Sequence, residues 1–316
     1  MNVATFYRFV RIEEPDALAA HLRSVAARLD LRGTILLAGE GINATLTGST
    51  EALNSFLADL RQDARFSGMP VRMSCGEADN PIFFRMKVRV RPELIAMHCD
   101  GVDPAERTGV HVDAAAWNAL LDDPDVTVID ARNRYEIALG TFPGAVDPGT
   151  RSFREFPQFA AQLDPARQPR VAMFCTGGIR CEKASAYLLQ RGFAQVYQLD
   201  GGILSYLDQC RDDPGAENRF AGECFVFDQR ISVAPDLNQG HYASCHACRH
   251  ALTEAETRSP QYALDVSCPY CVDVQTPRQR AALQERARQA RLAASRGERH
   301  VGAVMADKAT LNERKG

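Results

Sequence analysis

The sequence predicts a three-part chain of the α/β class: a small N-terminal α+β sandwich, a central domain on a mostly parallel sheet, and a C-terminal cysteine-rich segment with a basic helix. Three observations carry this. Over residues 1–95 the apolar spacing switches between strand and helix periods in the order βαββαβ. Over residues 109–215 short apolar strands alternate with helices, the pattern that a parallel sheet requires. From residue 216 onward the chain becomes loop-rich, and cysteines recur as two CxxC pairs.

In the first part, Val3–Val10 is a β-rich run, and Pro15–Leu29 carries Leu18, Leu22, Val25 and Leu29 at helical spacing. Thr34–Leu37 and Ala44–Thr47 read as strands around a Gly39-Glu40-Gly41 turn. A second helix places Leu53, Phe56, Leu57 and Leu60 on one face, and Val71–Ser74 and Phe83–Val90 supply further strands. This element order implies a ferredoxin-like or acylphosphatase-like sandwich. In the last strand Arg85, Lys87, Arg89 and Arg91 alternate with Met86, Val88 and Val90, so the four cations share one side. They fit the solvated face of an antiparallel sheet. They also fit a phosphate-contacting ridge, because an anionic partner would relieve their mutual repulsion.

Residues 96–108 read as a linker, with a Pro/Gly/charge-rich stretch from Asp100 to Thr108. In the central domain Val126–Asp130 is a buried-type strand ending in an acid. Val171–Phe174 runs directly into Cys175-Thr176-Gly177-Gly178-Ile179-Arg180, Ala184–Gln190 is a helix closed by Gly192, and Val196–Leu199 leads to Asp200-Gly201-Gly202-Ile203. In a parallel sheet ligands gather at the strand carboxyl ends.

The Cys175 segment carries the chemistry. A strand, a six-residue loop and a helix N-terminus turn successive backbone N–H groups toward one point, and the helix adds its partial positive charge. A cysteine at the start of such a loop is pushed toward the nucleophilic thiolate. Gly177 and Gly178 permit the tight curve, and Arg180 closes it with a cation. The bland reading is a buried cysteine before a glycine turn, but strand, loop, arginine and helix occur here together. Cys181 follows at the helix start, either as a thiol that resolves a persulfide by forming a disulfide or, since nearby residues bridge poorly, as a thiol of no catalytic role, while Glu182 and Lys183 are expected on the surface of the first helical turn.

Cys245-His246-Ala247-Cys248 and Cys268-Pro269-Tyr270-Cys271, with 19 residues between the pairs, have the spacing of a four-thiolate structural zinc site. A loop-rich segment with little apolar surface gains folding energy from such a metal. Reduced cysteines in a small core, or a redox pair, are the competing readings. His241, His246 and His250 lie nearby as alternative ligands, and Cys224 is expected in a strand. The chain closes with residues 277–316, a basic helix over Pro277–Arg296 and a tail expected to be mobile beyond Gly297.

Bulk properties narrow the class. With 316 residues, 45% hydrophobic and 24% charged, the chain is an ordinary multidomain globular protein. No apolar run approaches the roughly 20 residues of a membrane span, and charges at Arg8, Arg11, Glu13 and Glu14 interrupt any signal-peptide core. The expected location is the cytoplasm, where ten cysteines are catalytic, metal-binding or buried rather than disulfide-bonded. The net charge is −3, yet Thr276–Gly316 carries ten Lys or Arg against four Asp or Glu, which leaves a nucleic-acid partner open.

At this point a resemblance is plain. The Cys175–Arg180 loop, together with Ile129-Asp130-Ala131-Arg132 and the following Glu136, Pro143-Gly144-Ala145, and Leu199-Asp200-Gly201-Gly202-Ile203, resembles a rhodanese domain. Asp130 and Arg132 correspond to that family's supporting acid and arginine. Thr141 and Asp147 depart from the histidine and asparagine common there, which loosens the link to thiosulfate chemistry rather than to the fold. Related phosphatases use a loop one residue longer, so six residues fit a sulfur atom better than a phosphate. With Gly39-Glu40-Gly41-Ile42-Asn43-Ala44-Thr45, the extended loop Cys175–Lys183 and the paired cysteines, the chain resembles the rhodanese-related tRNA uridine hydroxylase family, TrhO. That resemblance implies hydroxylation of carbon 5 of the wobble uridine of tRNA, with molecular oxygen and a reductant whose identity the sequence does not carry. It implies an essential thiolate at Cys175 that works through a persulfide. Two alternatives stay open: a sulfurtransferase passing persulfide sulfur to an acceptor, and a non-catalytic tRNA-binding module. No flavin, haem or two-histidine-one-carboxylate pattern accounts for oxygen activation.

Overall fold

A computed structural model of the chain describes residues 2–75, 82–213 and 215–297, so the tail beyond Gly297 lies outside the described residues. The chain divides into two compact units, Met1–His241 and Tyr242–Gly316.

The first unit begins with β1 (Asn2–Phe9), α1 (Pro15–Arg28), β2 (Arg32–Ala38), β3 (Gly41–Gly48), α2 (Thr50–Leu60), β4 (Arg72–Cys75) and β5 (Met86–Val90). Pro15 stands at the start of α1, where its missing N–H costs nothing, and Asp16 and Arg28 complement the helix dipole at either end. The Ser49 hydroxyl accepts the Ala52 N–H at 3.1 Å and caps α2. Leu53, Phe56, Leu57 and Leu60 face inward as their spacing predicts, joining Leu22, Val25, Phe6, Ile35 and Leu46 in one core. The sheet order is β4-β1-β3-β2-β5, the expected sandwich with one added edge strand.

That edge strand differs from expectation in two ways. It begins at Met86 rather than Phe83, and it runs parallel to β2 rather than within an all-antiparallel sheet. The alternation itself holds: Met86, Val88 and Val90 pack against the core, while Arg85, Arg89 and Arg91 are exposed.

The central part contains β6 (Val110–Val112), α3 (Ala114–Asp122), β7 (Val126–Asp130), α4 (Arg134–Ile137), β8 (Gly140–Thr141), α5 (Phe156–Ala160), β9 (Arg170–Phe174), α6 (Ile179–Gln190), β10 (Gln195–Leu199) and α7 (Gly202–Asp212). β6, β10, β9 and β7 form a parallel sheet in that order. Central β9, buried on both faces as its apolar run predicts, delivers Cys175 to the carboxyl edge of the sheet. Helix α6 starts at Ile179, five residues earlier than its apolar spacing indicates, because the loop glycines lead straight into it.

β11 (Ala221–Gly222), β12 (Cys224–Phe225) and β13 (Ser232–Val233) complete the first unit. Ala221 pairs with Thr141, and Phe220, Cys224, Val226 and Val233 enter the same cluster as Trp117, Phe142, Phe174 and Tyr206. These residues, grouped by sequence with the cysteine-rich segment, therefore serve the central core, and the second unit begins later, at Tyr242. That unit carries β14 (Ala243–Ser244), β15 (Ala251–Leu252), α8 (Glu254–Thr257) and α9 (Pro277–Ser295). Its small core is Cys245, Leu252, Cys268 and Cys271. Thr276 and Gln279 form a capping box at the start of α9, which buries only Ala287 and Ala293 and leaves its arginines outward. Among the described residues no helix is long and apolar enough to cross a membrane.

Candidate functional site

The site is built where β9 meets α6. Cys175 is 0% exposed, and the Gly178 N–H donates to its Sγ at 3.2 Å. Gly178 caps α6 with φ +92°, a conformation that a side chain would strain. The first turn of α7 holds the loop from the other side: Ile203 N–H donates to the Cys175 carbonyl at 2.9 Å and Leu204 N–H to the Thr176 carbonyl at 3.1 Å. This close approach requires Gly202, where a Cβ would lie 2.7 Å from Gly178 N and 2.8 Å from Gly177 N.

Burial alone would push the Cys175 thiol up. The Cys181 thiol, the Arg180 guanidinium and the backbone N–H groups of Cys181 and Arg180 outweigh it and bring Cys175 down to about 6. Near neutral pH the thiolate is therefore the favoured form. Burial and the neighbouring Cys175 charge push the Cys181 thiol well above its ordinary value, so it remains a proton donor. Cys181 is buried in the same cluster as Cys175.

Arg180 is not a free cation. Its guanidinium makes a bidentate pair with Glu136 at 2.6 and 2.7 Å, and it also reaches the Thr176 hydroxyl at 3.3 Å. Although burial works the other way, Arg180 holds the Glu136 carboxyl below its usual range. The charge on Arg180 therefore has two claimants, a carboxylate and the thiolate. Asp130 and Arg132 stand one turn back as a buried pair at 2.6 Å, and Arg132 donates to the Gly140 carbonyl at 2.6 Å. The Thr141 hydroxyl donates to Asp130 at 2.8 Å. Together they brace the turn that presents Glu136.

The expected surface positions Glu182 and Lys183 are instead buried. Glu182 receives the Tyr7 hydroxyl at 3.1 Å, the Thr108 hydroxyl at 2.8 Å, the Gln198 amide at 2.9 Å and the His111 ring at 2.9 Å. The Lys183 ammonium, 2% exposed, meets Glu40 at 2.9 Å, Glu93 at 2.5 Å and the Ile95 carbonyl at 3.0 Å. Charges in a first helical turn are ordinarily solvated. Here α6 is covered by the N-terminal sandwich, and its acid and base supply the polar part of that contact. A Cβ on Gly178 would lie 2.6 Å from the Tyr7 hydroxyl, so Tyr7 packs directly on the Cys175 loop.

The second cysteine constellation lies in the other unit. The Sγ atoms of Cys245, Cys248, Cys268 and Cys271 all fall within 4.8 Å of one another. The separations are 3.8 Å for Cys245–Cys271, 3.6 Å for Cys248–Cys268 and 3.7 Å for Cys268–Cys271. A disulfide needs roughly 2.05 Å. Four thiolates about 2.3 Å from a tetrahedral zinc stand about 3.8 Å apart, so the residues fit that metal. The nearby histidines are engaged elsewhere: His241 with Glu223, His246 with Asp265, and His250 stacked on Tyr270.

Sequence reasoning finds the loop and the CxxC pairs but misses Tyr7, Glu182 and Lys183. Glu136 is visible only as part of a resemblance.

A parallel sheet with a thiolate cradle at the end of its central strand, preceded by a five-stranded sandwich, defines a rhodanese-type protein fused to an acylphosphatase-like domain. Residues 113–209 match the rhodanese-like domain family, and residues 1–94 match the UPF0176 acylphosphatase-like domain family. The tRNA uridine(34) hydroxylase of Teredinibacter turnerae is 45% identical over 301 residues, covering 95% of this chain and 92% of that one. The chain belongs to the tRNA uridine(34) hydroxylase family. Among solved structures, a rhodanese-related protein from Thermoplasma volcanium is 22% identical, with 32% of this chain and 92% of that one covered and a TM-score of 0.27. The acylphosphatase of Bacillus subtilis is 15% identical, with 29% and 100% covered and a TM-score of 0.24.

Proposed function

We propose that this protein hydroxylates carbon 5 of uridine 34 in tRNA, with molecular oxygen and a reductant as co-substrates, and that Cys175 is its essential nucleophile. The observation that carries the catalytic assignment is the placement of Cys175: buried at the end of β9, its Sγ accepts the Gly178 N–H at 3.2 Å, and backbone N–H groups, Cys181 and Arg180 bring the thiol down to about 6. A structural cysteine in an apolar core shifts the other way, as Cys224 does at about 12. The family relationship over nearly the whole chain directs that thiolate toward tRNA. The six-residue loop suits a thiolate or a persulfide on Cys175 rather than a phosphate ester.

The remaining residues take supporting roles. Thr176, Gly177, Gly178 and Ile179 form the cradle, Arg180 stabilises the thiolate, and Asp130 and Arg132 fix the neighbouring turn. The exposed Arg85, Arg89 and Arg91, with Lys87 between them, offer cations for phosphates along one edge strand. In the second unit Cys245, Cys248, Cys268 and Cys271 would hold a structural zinc, whose part is to stabilise that unit's fold. The protein acts in the cytoplasm, where its tRNA substrate and reduced thiols are found.

Mass spectrometry of tRNA nucleosides tests this reading. A strain lacking the gene loses 5-hydroxyuridine-derived wobble nucleosides, the wild-type chain restores them, and Cys175→Ser does not. Full restoration by Cys175→Ser removes the catalytic assignment. Brisk thiosulfate-to-cyanide transfer with unchanged tRNA nucleosides would instead establish a sulfurtransferase.

A further inference from the structure

Phe227 stands out among the aromatic residues of the first unit. It is 63% exposed, whereas Phe220, Phe225, Phe142 and Phe174 nearby are buried. A single exposed apolar ring is ordinary in itself, and what sets Phe227 apart is where it is held. Its position is fixed by contacts that lead to the catalytic loop. The Arg180 guanidinium lies over the Phe227 ring at 5.8 Å from the centroid. Phe225 meets the same ring edge-on at 5.2 Å, and the Phe225 carbonyl accepts the Thr176 hydroxyl at 3.4 Å. Tyr135, beside Glu136, packs edge-on against Phe225 at 5.3 Å. An exposed ring is thus held on the last residue of the loop that carries Cys175. The ring is held against a guanidinium while most of it stays exposed, and its exposed surface can take a second planar group.

We infer that Phe227 is the stacking platform for the uracil ring of the target nucleotide. This rests on the tRNA reading above. Chemistry on a base requires the base to leave its stack, and an extruded pyrimidine is held by π-stacking on aromatic side chains and by nearby guanidinium groups. Two exposed cations lie along the chain next to the residues that support this ring. Arg134, next to Tyr135, and Arg151, next to the Thr150 whose carbonyl accepts the Arg134 N–H at 2.8 Å, are both exposed. Neither makes a salt bridge among the described residues, so both are available to the flanking phosphates.

The test compares binding of two anticodon stem-loop RNAs, one with uridine and one with an abasic site at position 34, to full-length wild-type protein, Phe227→Ala and Phe227→Tyr. Stacking of one base contributes about 1–3 kcal/mol, so wild type prefers the uridine RNA by roughly 5- to 150-fold. Phe227→Ala collapses this preference to within about twofold while binding the abasic RNA as wild type does, and Phe227→Tyr retains it. The exposed position keeps these substitutions from disturbing the fold. A preference undiminished in Phe227→Ala, or absent from wild type that binds both RNAs, overturns the platform and leaves the tRNA reading intact. Failure of wild type to bind either RNA overturns both.

Discussion

Two cysteine sites in this chain start from the same side chain and sit in opposite surroundings, which suit them to the opposite uses proposed above. At Cys175 the negative charge is balanced by backbone N–H groups, a neighbouring thiol and an arginine already paired to Glu136. Nothing there consumes the sulfur's lone pairs irrevocably, so the thiolate stays nucleophilic. In the second unit four sulfurs converge at separations of 3.6–3.8 Å, and the cation that suits them would use every lone pair directed at the centre. What neutralises a thiolate therefore decides whether it is a reagent or a rivet. A partly shared partial charge leaves reactivity; a full divalent cation with four ligands removes it.

The comparison can be broken at either end, and the largest effect is expected at the rivet. Removing the proposed zinc with a strong chelator, or replacing Cys268 with serine, withdraws on the order of 10 kcal/mol from a unit with almost no apolar core. Limited proteolysis should then cut within residues 242–297 while the first unit remains intact. Metal-free protein that resists proteolysis there as well as untreated protein would show that the four thiols need no cation.

A smaller effect is expected at Glu136. Glu136→Gln leaves the buried Arg180 guanidinium without its counter-charge, costing about 3–5 kcal/mol. The apparent thermal midpoint of the first unit should drop by roughly 10 °C, read by differential scanning calorimetry. An unchanged midpoint would mean that the thiolate alone can satisfy Arg180.

The smallest effect is also the sharpest. The Cys175 thiol lies below its ordinary value, so the thiolate predominates above pH about 6 and is lost as the pH falls through that value. Ultraviolet thiolate absorbance, as the difference between wild type and Cys175→Ser, should show a midpoint near 6. Cys181→Ala removes a proton donor and moves this midpoint upward, whereas Cys181→Ser keeps a donor and moves it less. A midpoint that ignores both changes would assign the stabilisation to the backbone and Arg180 alone.

The sequence makes legible what is local. The six-residue loop, the CxxC pairs, the helix faces and the alternating cations of β5 all lie within short windows where residue spacing fixes geometry. Tertiary pairing is a different matter. Tyr7 meets Glu182 across 175 residues, Lys183 meets Glu40 across 143 and Arg180 meets Glu136 across 44. A glutamate and a lysine in a first helical turn look solvated until the partner domain is placed on them. The later start of the second unit was hidden for the same reason: Phe220, Cys224 and Val226 sit in a loop-rich stretch, and only the central core shows what they pack against.

The cluster of Lys183 with Glu40 and Glu93 has a consequence for how this architecture can be taken apart. The rhodanese part looks like a portable module, with its own sheet and its own loop. Yet the helix that follows the loop carries an ammonium, and next to it a carboxylate, whose counterparts come from the preceding sandwich and from residues just after it. Excised at the boundaries of its family match, that module would turn a buried lysine face and the underside of its own reactive loop toward water. Recombination that moved the loop into another protein would have to move Tyr7, Glu40 and Glu93 with it to keep these groups paired.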